Sequence, residues 1–316
     1  FKTLKKSWFD GLARLTELDL SENLLERLDS HQFDNMRSLH TLRLAKNGLK
    51  KIYLSTFFNL KCLKSLDLAN NSIKSVKLVI ATTAESTTTT TTATNSKQQQ
   101  QQDYGGLSLS MLNLANNRFS SLDDLKSFLS SQKNLEQLDL SGNQLVSIED
   151  ELFFGSNNFN ELKQLNLSSN RLTQVRANTF SAAHLISLEH LDLSGNKLNE
   201  LSLVESGISS LRELKSLSLV NNAIDELKAN DFLNLNLSLN FICFDGSFDD
   251  DGDESESSAS SLLDANFILF KELVRESQSN VHIKQKIIQC VEKEADALNL
   301  DQSYLYLTKR YLGHLI

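Results

Sequence analysis

Apolar positions recur along this chain with one spacing, L-x-x-L-x-L-x-x-N-x-L, followed three residues on by another apolar residue and, in most copies, five later by Phe. The clearest copy holds Leu188, Leu191, Leu193, Asn196 and Leu198, with mostly polar residues between them. Leucines two apart point the same way from an extended chain. Leu191 and Leu193 therefore predict a short strand with one buried face, and the residues between and beside them face the other way. The asparagines stand at Asn23, Asn47, Asn71, Asn117, Asn143, Asn170, Asn196 and Asn222, at intervals of 24, 24, 46, 26, 27, 26 and 26. Only one interval breaks the period, and 46 is one repeat of 24 plus an insert of 22. One such unit cannot bury its leucines alone, whereas units stacked in parallel share one long core.

The first two copies are regular: Leu15, Leu18, Leu20, Asn23, Leu25, Leu28 and Phe33, then Leu39, Leu42, Leu44, Asn47, Leu49, Ile52 and Phe57. The third runs from Leu63 to Val76 and gives way, over about residues 81–106, to a stretch dominated by Thr, Gln and Gly. That composition cannot bury enough apolar surface to order itself and predicts a disordered loop. The register resumes at Leu109, so the loop leaves the stack and returns between adjacent coils. After the fourth copy, Leu125, Phe128 and Leu129 fall on one helical face with Asp123 placed as its cap. The longer copies, of 26 and 27 residues, predict short helices on their outer side. Phe153, Phe180 and Phe232 continue the aromatic positions, and Ser206 interrupts them. The repeats thus cover 1–240, an acidic Ser-rich linker 241–262, and a helical C-terminal cap or tail 263–316.

Each turn asparagine carries an amide that donates and accepts at once, so it can serve backbone groups of its own turn and of the adjacent one. This predicts a buried structural ladder. The positions between the paired strand leucines are Asp19, Arg43, Asp67, Asn113, Asp139, Asn166, Asp192 and Ser218, with Glu17, His40, Met111, Gln137, Gln164 and His190 nearby. They predict one track along a concave face, the kind of extended surface that repeat proteins use for binding. His40 and His190 are assigned to solvent-facing strand positions within it.

Composition changes the picture in a few places. The net charge of −8 is local: Asp245, Asp249, Asp250, Asp251, Asp253, Glu254 and Glu256 supply seven of the excess negatives. No basic run appears, which argues against nucleic acid as a partner. No apolar run approaches the roughly 20 residues that span a bilayer. Aligning Gly252 to the glycine of a calcium loop puts Ser247 and Ser258 where carboxylates are required, so that reading fails. No H-E-x-x-H, G-x-S-x-G, phosphate-binding glycine loop or paired Cys motif occurs, and no cofactor, metal or enzymatic activity is expected. Phe1, Leu4, Phe9 and Leu12 match Leu25, Leu28, Phe33 and Met36 at a constant offset of 24, without the strand of that copy. The chain therefore reads as a fragment, or a matured or incomplete product, and lack of a signal peptide says nothing of compartment.

The repeated motif resembles the leucine-rich repeat, and its 24-residue copies resemble the typical extracellular subtype. The insert and the segment after Leu235 resemble arthropod leucine-rich immune proteins and Toll-like receptor ectodomains. The resemblance implies an α/β fold, a right-handed horseshoe solenoid with a parallel concave sheet and a helical C-terminal cap. It implies recognition of a protein partner outside the cell, in innate immunity or at the cell surface, by a secreted factor or receptor ectodomain with homo- or hetero-oligomers open to it. Leu237–Cys243 is similar to the opening of the cysteine-rich cap of such proteins, although Phe241 stands where that opening has Pro. On this basis a disulfide between Cys243 and Cys290 is expected, with two reduced thiols in an intracellular scaffold or regulatory subunit as the alternative. Cys62 reads as a small packed residue. Sequons at Asn70, Asn166 and Asn236 mark N-glycosylation candidates.

Overall fold

The computed structural model describes residues 1–77, 106–148, 159–224 and 241–243. Most of the Thr- and Gln-rich loop, the linker beyond Cys243, the cap at 263–316, Cys290, Asn236, Phe153 and Phe232 lie outside the described residues.

Each copy of L-x-L makes a three-residue strand: β1 (Glu17–Asp19), β2 (Thr41–Arg43), β4 (Ser65–Asp67), β6 (Met111–Asn113), β7 (Gln137–Asp139), β8 (Gln164–Asn166), β9 (His190–Asp192) and β10 (Ser216–Ser218). With β11 (Phe241–Cys243) they form one parallel sheet in the order β1-β2-β4-β6-β7-β8-β9-β10-β11. The ninth strand comes from the start of the segment that the sequence assigned to the linker; aromatic and β-branched residues there suit a strand. The central leucines stand opposite one another without a slip, from Leu18 and Leu42 through Leu138 and Leu165 to Leu217. The insert does not interrupt the stack. β4 pairs directly with β6, Ser65 opposite Met111 and Leu66 opposite Leu112.

Burial follows the sequence pattern. Leu42, Leu66, Leu112, Leu138, Leu165, Leu191 and Leu217 are buried in one continuous core with Phe33, Phe57, Phe119, Phe159 and Phe180. This is the arrangement that the repeat needs, since each coil supplies the wall that its neighbour lacks. A second, two-stranded parallel sheet lies elsewhere on the coil: β3 (Lys51–Tyr53) pairs with β5 (Ser75–Lys77), Ile52 opposite Val76. Helix is sparse. The helix α1 (Asp123–Ser131) buries Leu125, Phe128 and Leu129. Asp123 is its first residue and not its cap: the Asp123 amide donates to the Ser121 hydroxyl at 3.1 Å. A carboxylate in the first turn suits the positive end of the helix dipole.

The turn asparagines are bound on both sides. Asn143 Nδ2 donates to the carbonyls of Leu140 and Ser141 in its own turn and of Leu114 in the coil before, and its Oδ1 accepts the Phe119 N–H at 3.1 Å. Asn71, Asn117, Asn170 and Asn196 repeat that set. Asn117 does so across the insert, taking the Ile73 N–H and donating to the Leu68 carbonyl.

The residue before each of these asparagines has a positive φ, at Glu22, Lys46, Asn70, Asn116, Gly142, Ser169, Gly195 and Asn221. Asn and Gly tolerate that region best, which explains their prevalence there. A requirement set by neighbouring backbone sits at Gly207, beside Ser206. Its φ is +84°, and a Cβ there would lie 2.9 Å from the Ser181 backbone nitrogen. The turn brings Ile208 into the core, and the Phe180 N–H donates to the Ser206 carbonyl at 2.9 Å. Gly207→Ala is therefore expected to cost about 2 kcal/mol, from the left-handed backbone and from backbone that must move. Chemical denaturation of the purified variant measures it.

Candidate recognition face

Two rows of side chains cover the outer face of the long sheet, on either side of the buried central leucines. One is Glu17, Thr41, Ser65, Met111, Gln137, Gln164, His190 and Ser216. The other is Asp19, Arg43, Asp67, Asn113, Asp139, Asn166, Asp192 and Ser218, in one register from β1 to β10. From β6 to β10 these rows line a shallow trough of about 350 Å³.

His190 lies in the first row, its Nδ1 2.7 Å from the Ser216 hydroxyl. His40 does not. The residue before Leu42 is Thr41, so the row takes Thr41, and His40 precedes β2 with its Nδ1 2.6 Å from the Ser38 carbonyl.

The second row also has a local task that sequence reasoning missed. Asp19, Asp67, Asp139 and Asp192 each accept, through Oδ1, the amide N–H two residues on, and Asn113 and Asn166 do the same. In Asp139 and Asp192 the same oxygen also takes a Ser hydroxyl at 2.6 Å. The preference of Asp and Asn for such turns was the available signal. One oxygen is thus fixed, and the other points from a pre-set position. The bond from the Ser21 N–H holds the Asp19 carboxyl below the usual carboxylate range.

Charges beside the rows are largely paired. Arg43 meets Glu17 at 3.5 Å. Along the rim, Lys163 bonds Glu136 at 2.8 Å and Lys215 bonds Glu189 at 2.6 Å. The hydrogen bond to Glu136 raises the Lys163 pKa, and the one from Lys215 holds Glu189 below the usual range. Among the described residues, no cluster of His, Cys, Asp and Glu is arranged to hold a metal ion. No helix among them is long and apolar enough to cross a membrane.

A repeat built of strand, asparagine turn and return, stacked on a shared leucine core, defines a class that comparison with known proteins makes specific. Family models described as leucine rich repeat match residues 1–49, 37–79 and 160–224, and residues 134–159. The chain belongs to the leucine-rich repeat family. No curated protein sequence matches it.

Among solved structures, Drosophila Toll in its complex with Spätzle is similar at 24% identity and a TM-score of 0.58, over 78% of this chain and 30% of that one. A leucine-rich repeat protein of Leptospira interrogans is similar at 23% identity and a TM-score of 0.52, over 78% of this chain and 58% of that one. TLR13, solved in complex with a single-stranded RNA, matches at 26% identity and a TM-score of 0.45, over 75% of this chain and 26% of that one. The chain thus spans under a third of the Toll and TLR13 chains. The exclusion of nucleic acid drawn from composition gains no support from these neighbours.

Proposed function

We propose that this chain is an extracellular recognition module that binds a protein partner on the outer face of its long sheet, in innate immunity or at the cell surface. The carrying observation is the pair of solvent-facing rows that stay in register from β1 to β10 across the insert. Repeat stacks use such continuous faces to bind. The likeness to Toll supports the setting, since that structure is described as a hub in development and innate immunity.

Gln137 and Gln164 are exposed in the middle of the face and take no part in the turns. Gln137→Arg with Gln164→Arg is expected to weaken capture of the partner by about tenfold or more, through bulk and mismatched charge at the contact. Glu200→Lys, exposed and away from the sheet, is expected to leave capture unchanged. Pull-down of extracellular fluid with the three proteins, compared by mass spectrometry, decides. Retention of the same partner by the double Gln variant would move recognition off this face.

Compartment has its own tests. Asn70 is exposed, and its side chain is free of the turn bonds that hold Asn166, whose Oδ1 takes the Ser168 amide and hydroxyl. Expressed through a secretory pathway, the protein is expected to carry a glycan at Asn70 and little at Asn166; site-resolved glycopeptide mass spectrometry reads the two. An intracellular scaffold would instead show three alkylatable thiols after unfolding, at Cys62, Cys243 and Cys290.

A further inference from the structure

The carboxylates of the second row fall on alternate strands. Asp67 is on β4, Asp139 on β7 and Asp192 on β9, with Asn113 and Asn166 on the strands between. Neighbouring strands lie about 4.8 Å apart, so successive carboxylates are separated by roughly 9.6 Å. Over this half of the sheet, neither row holds a Lys or Arg. The nearby rim lysines Lys163 and Lys215 are held by Glu136 and Glu189. Among the described residues, no hydrogen bond takes the second oxygen of Asp67 or Asp192, and that of Asp139 has only Asn166 Nδ2 at 3.4 Å. Asp67 has Arg43 opposite it on β2, whereas Asp139 and Asp192 have no cation in either row. The trough over β6–β10 thus carries two negative charges without a cation beside them, each fixed in direction by its turn, and Asp67 continues their spacing beyond its edge.

Resting on the reading of this face as the binding surface, we infer that the occupant over β4–β10 is an extended protein segment with Arg or Lys at every third residue. An extended segment in polyproline II geometry has three residues per turn and rises about 3.1 Å per residue, so every third side chain returns to the same side at roughly 9.3 Å, close to the carboxylate spacing. Arg matches each outward carboxylate with a planar fork of donors. The row is electrostatically wrong for a phosphate backbone, which needs cations. Alternation also keeps like charges off adjacent strands, and the experiment separates that cause from ligand recognition.

The test uses the whole chain and three fluorescent synthetic peptides of equal length. One has Arg at every third position among Ser and Thr, one has the same residues with the Arg clustered, and one has Gln in place of Arg. The protein variant is Asp67→Asn with Asp139→Asn and Asp192→Asn. Asn113 and Asn166 make the same turn bond in the same register, so the variant keeps its turns. Anisotropy titration is expected to show the spaced peptide binding about tenfold more tightly than the clustered one, with the Gln peptide weaker still. The triple variant is expected to lose that advantage, and added salt to weaken the parent's binding.

Equal binding of spaced and clustered peptides, or no change in the triple variant, would overturn the inference. So would an oligonucleotide that binds the parent and displaces the spaced peptide. If the peptides fail while partner capture remains sensitive to Gln137→Arg with Gln164→Arg, recognition on this face stands and the basic partner falls. If capture is insensitive as well, both fall.

Discussion

Asn143→Leu is expected to destabilise the protein by about 3 kcal/mol or more, although the two side chains are similar in size and the new one is apolar. Asn143 is 5% exposed and bonded at both ends of its amide. Leucine leaves the carbonyls of Leu114, Leu140 and Ser141 and the Phe119 amide without that partner. A buried polar group left unsatisfied costs about 1–3 kcal/mol. Relaxation and entering water recover part of the sum, which sets the expectation below the total for four groups. Two coils lose bonds together, because Leu114 and Phe119 belong to the coil before. Asn222 makes similar bonds but is half-buried. Asn222→Leu is therefore expected to cost clearly less in the same urea titration. A cost for Asn143→Leu under about 1 kcal/mol would remove the ladder from the account.

Leu191→Ala is the second large effect, at about 2–5 kcal/mol, because it empties a close-packed site. Leu191 is 1% exposed and sits between Leu165 and Leu217 on the flanking strands. Leu18 holds the same register position on β1, but its only strand neighbour among the described residues is β2, and it is half-buried. Leu18→Ala is expected to cost about 1 kcal/mol, since less apolar surface leaves water there in the first place. The contrast matters more than either number: one substitution at one repeat position should be graded by place in the stack. Equal costs from calorimetry or urea would mean that coils do not stabilise one another.

How far the sequence could be read follows from which interactions are local. The strand leucines and turn asparagines were legible because each coil repeats one spacing, and eight copies remove chance from the match. The pairing of β3 with β5 was not legible. Ile52 and Val76 read only as single apolar positions, and their pairing depends on the neighbouring coil lying alongside. The positive φ before each asparagine was half visible, signalled by Gly142 and Gly195 but hidden at Glu22, Lys46 and Ser169, whose side chains do not advertise it. His40 was misplaced by one residue, because a strand of three leaves no alternation to fix its end. The second row was seen as a track of binding candidates. Its turn bonds escaped notice because Asp139 serves its turn and faces solvent at once.

The most direct measurement is native-state hydrogen exchange at the backbone amide of Ile73. Its acceptor is Asn117 Oδ1, in the coil beyond the insert and 44 residues along the chain. If the coils form one stack, Ile73 exchanges as slowly as Leu49 and Phe119, whose amides are held by Asn71 and Asn143. Rapid exchange at Ile73 beside slow exchange at the other two would mean that the stack breaks at the insert. No single face would then run from β1 to β10.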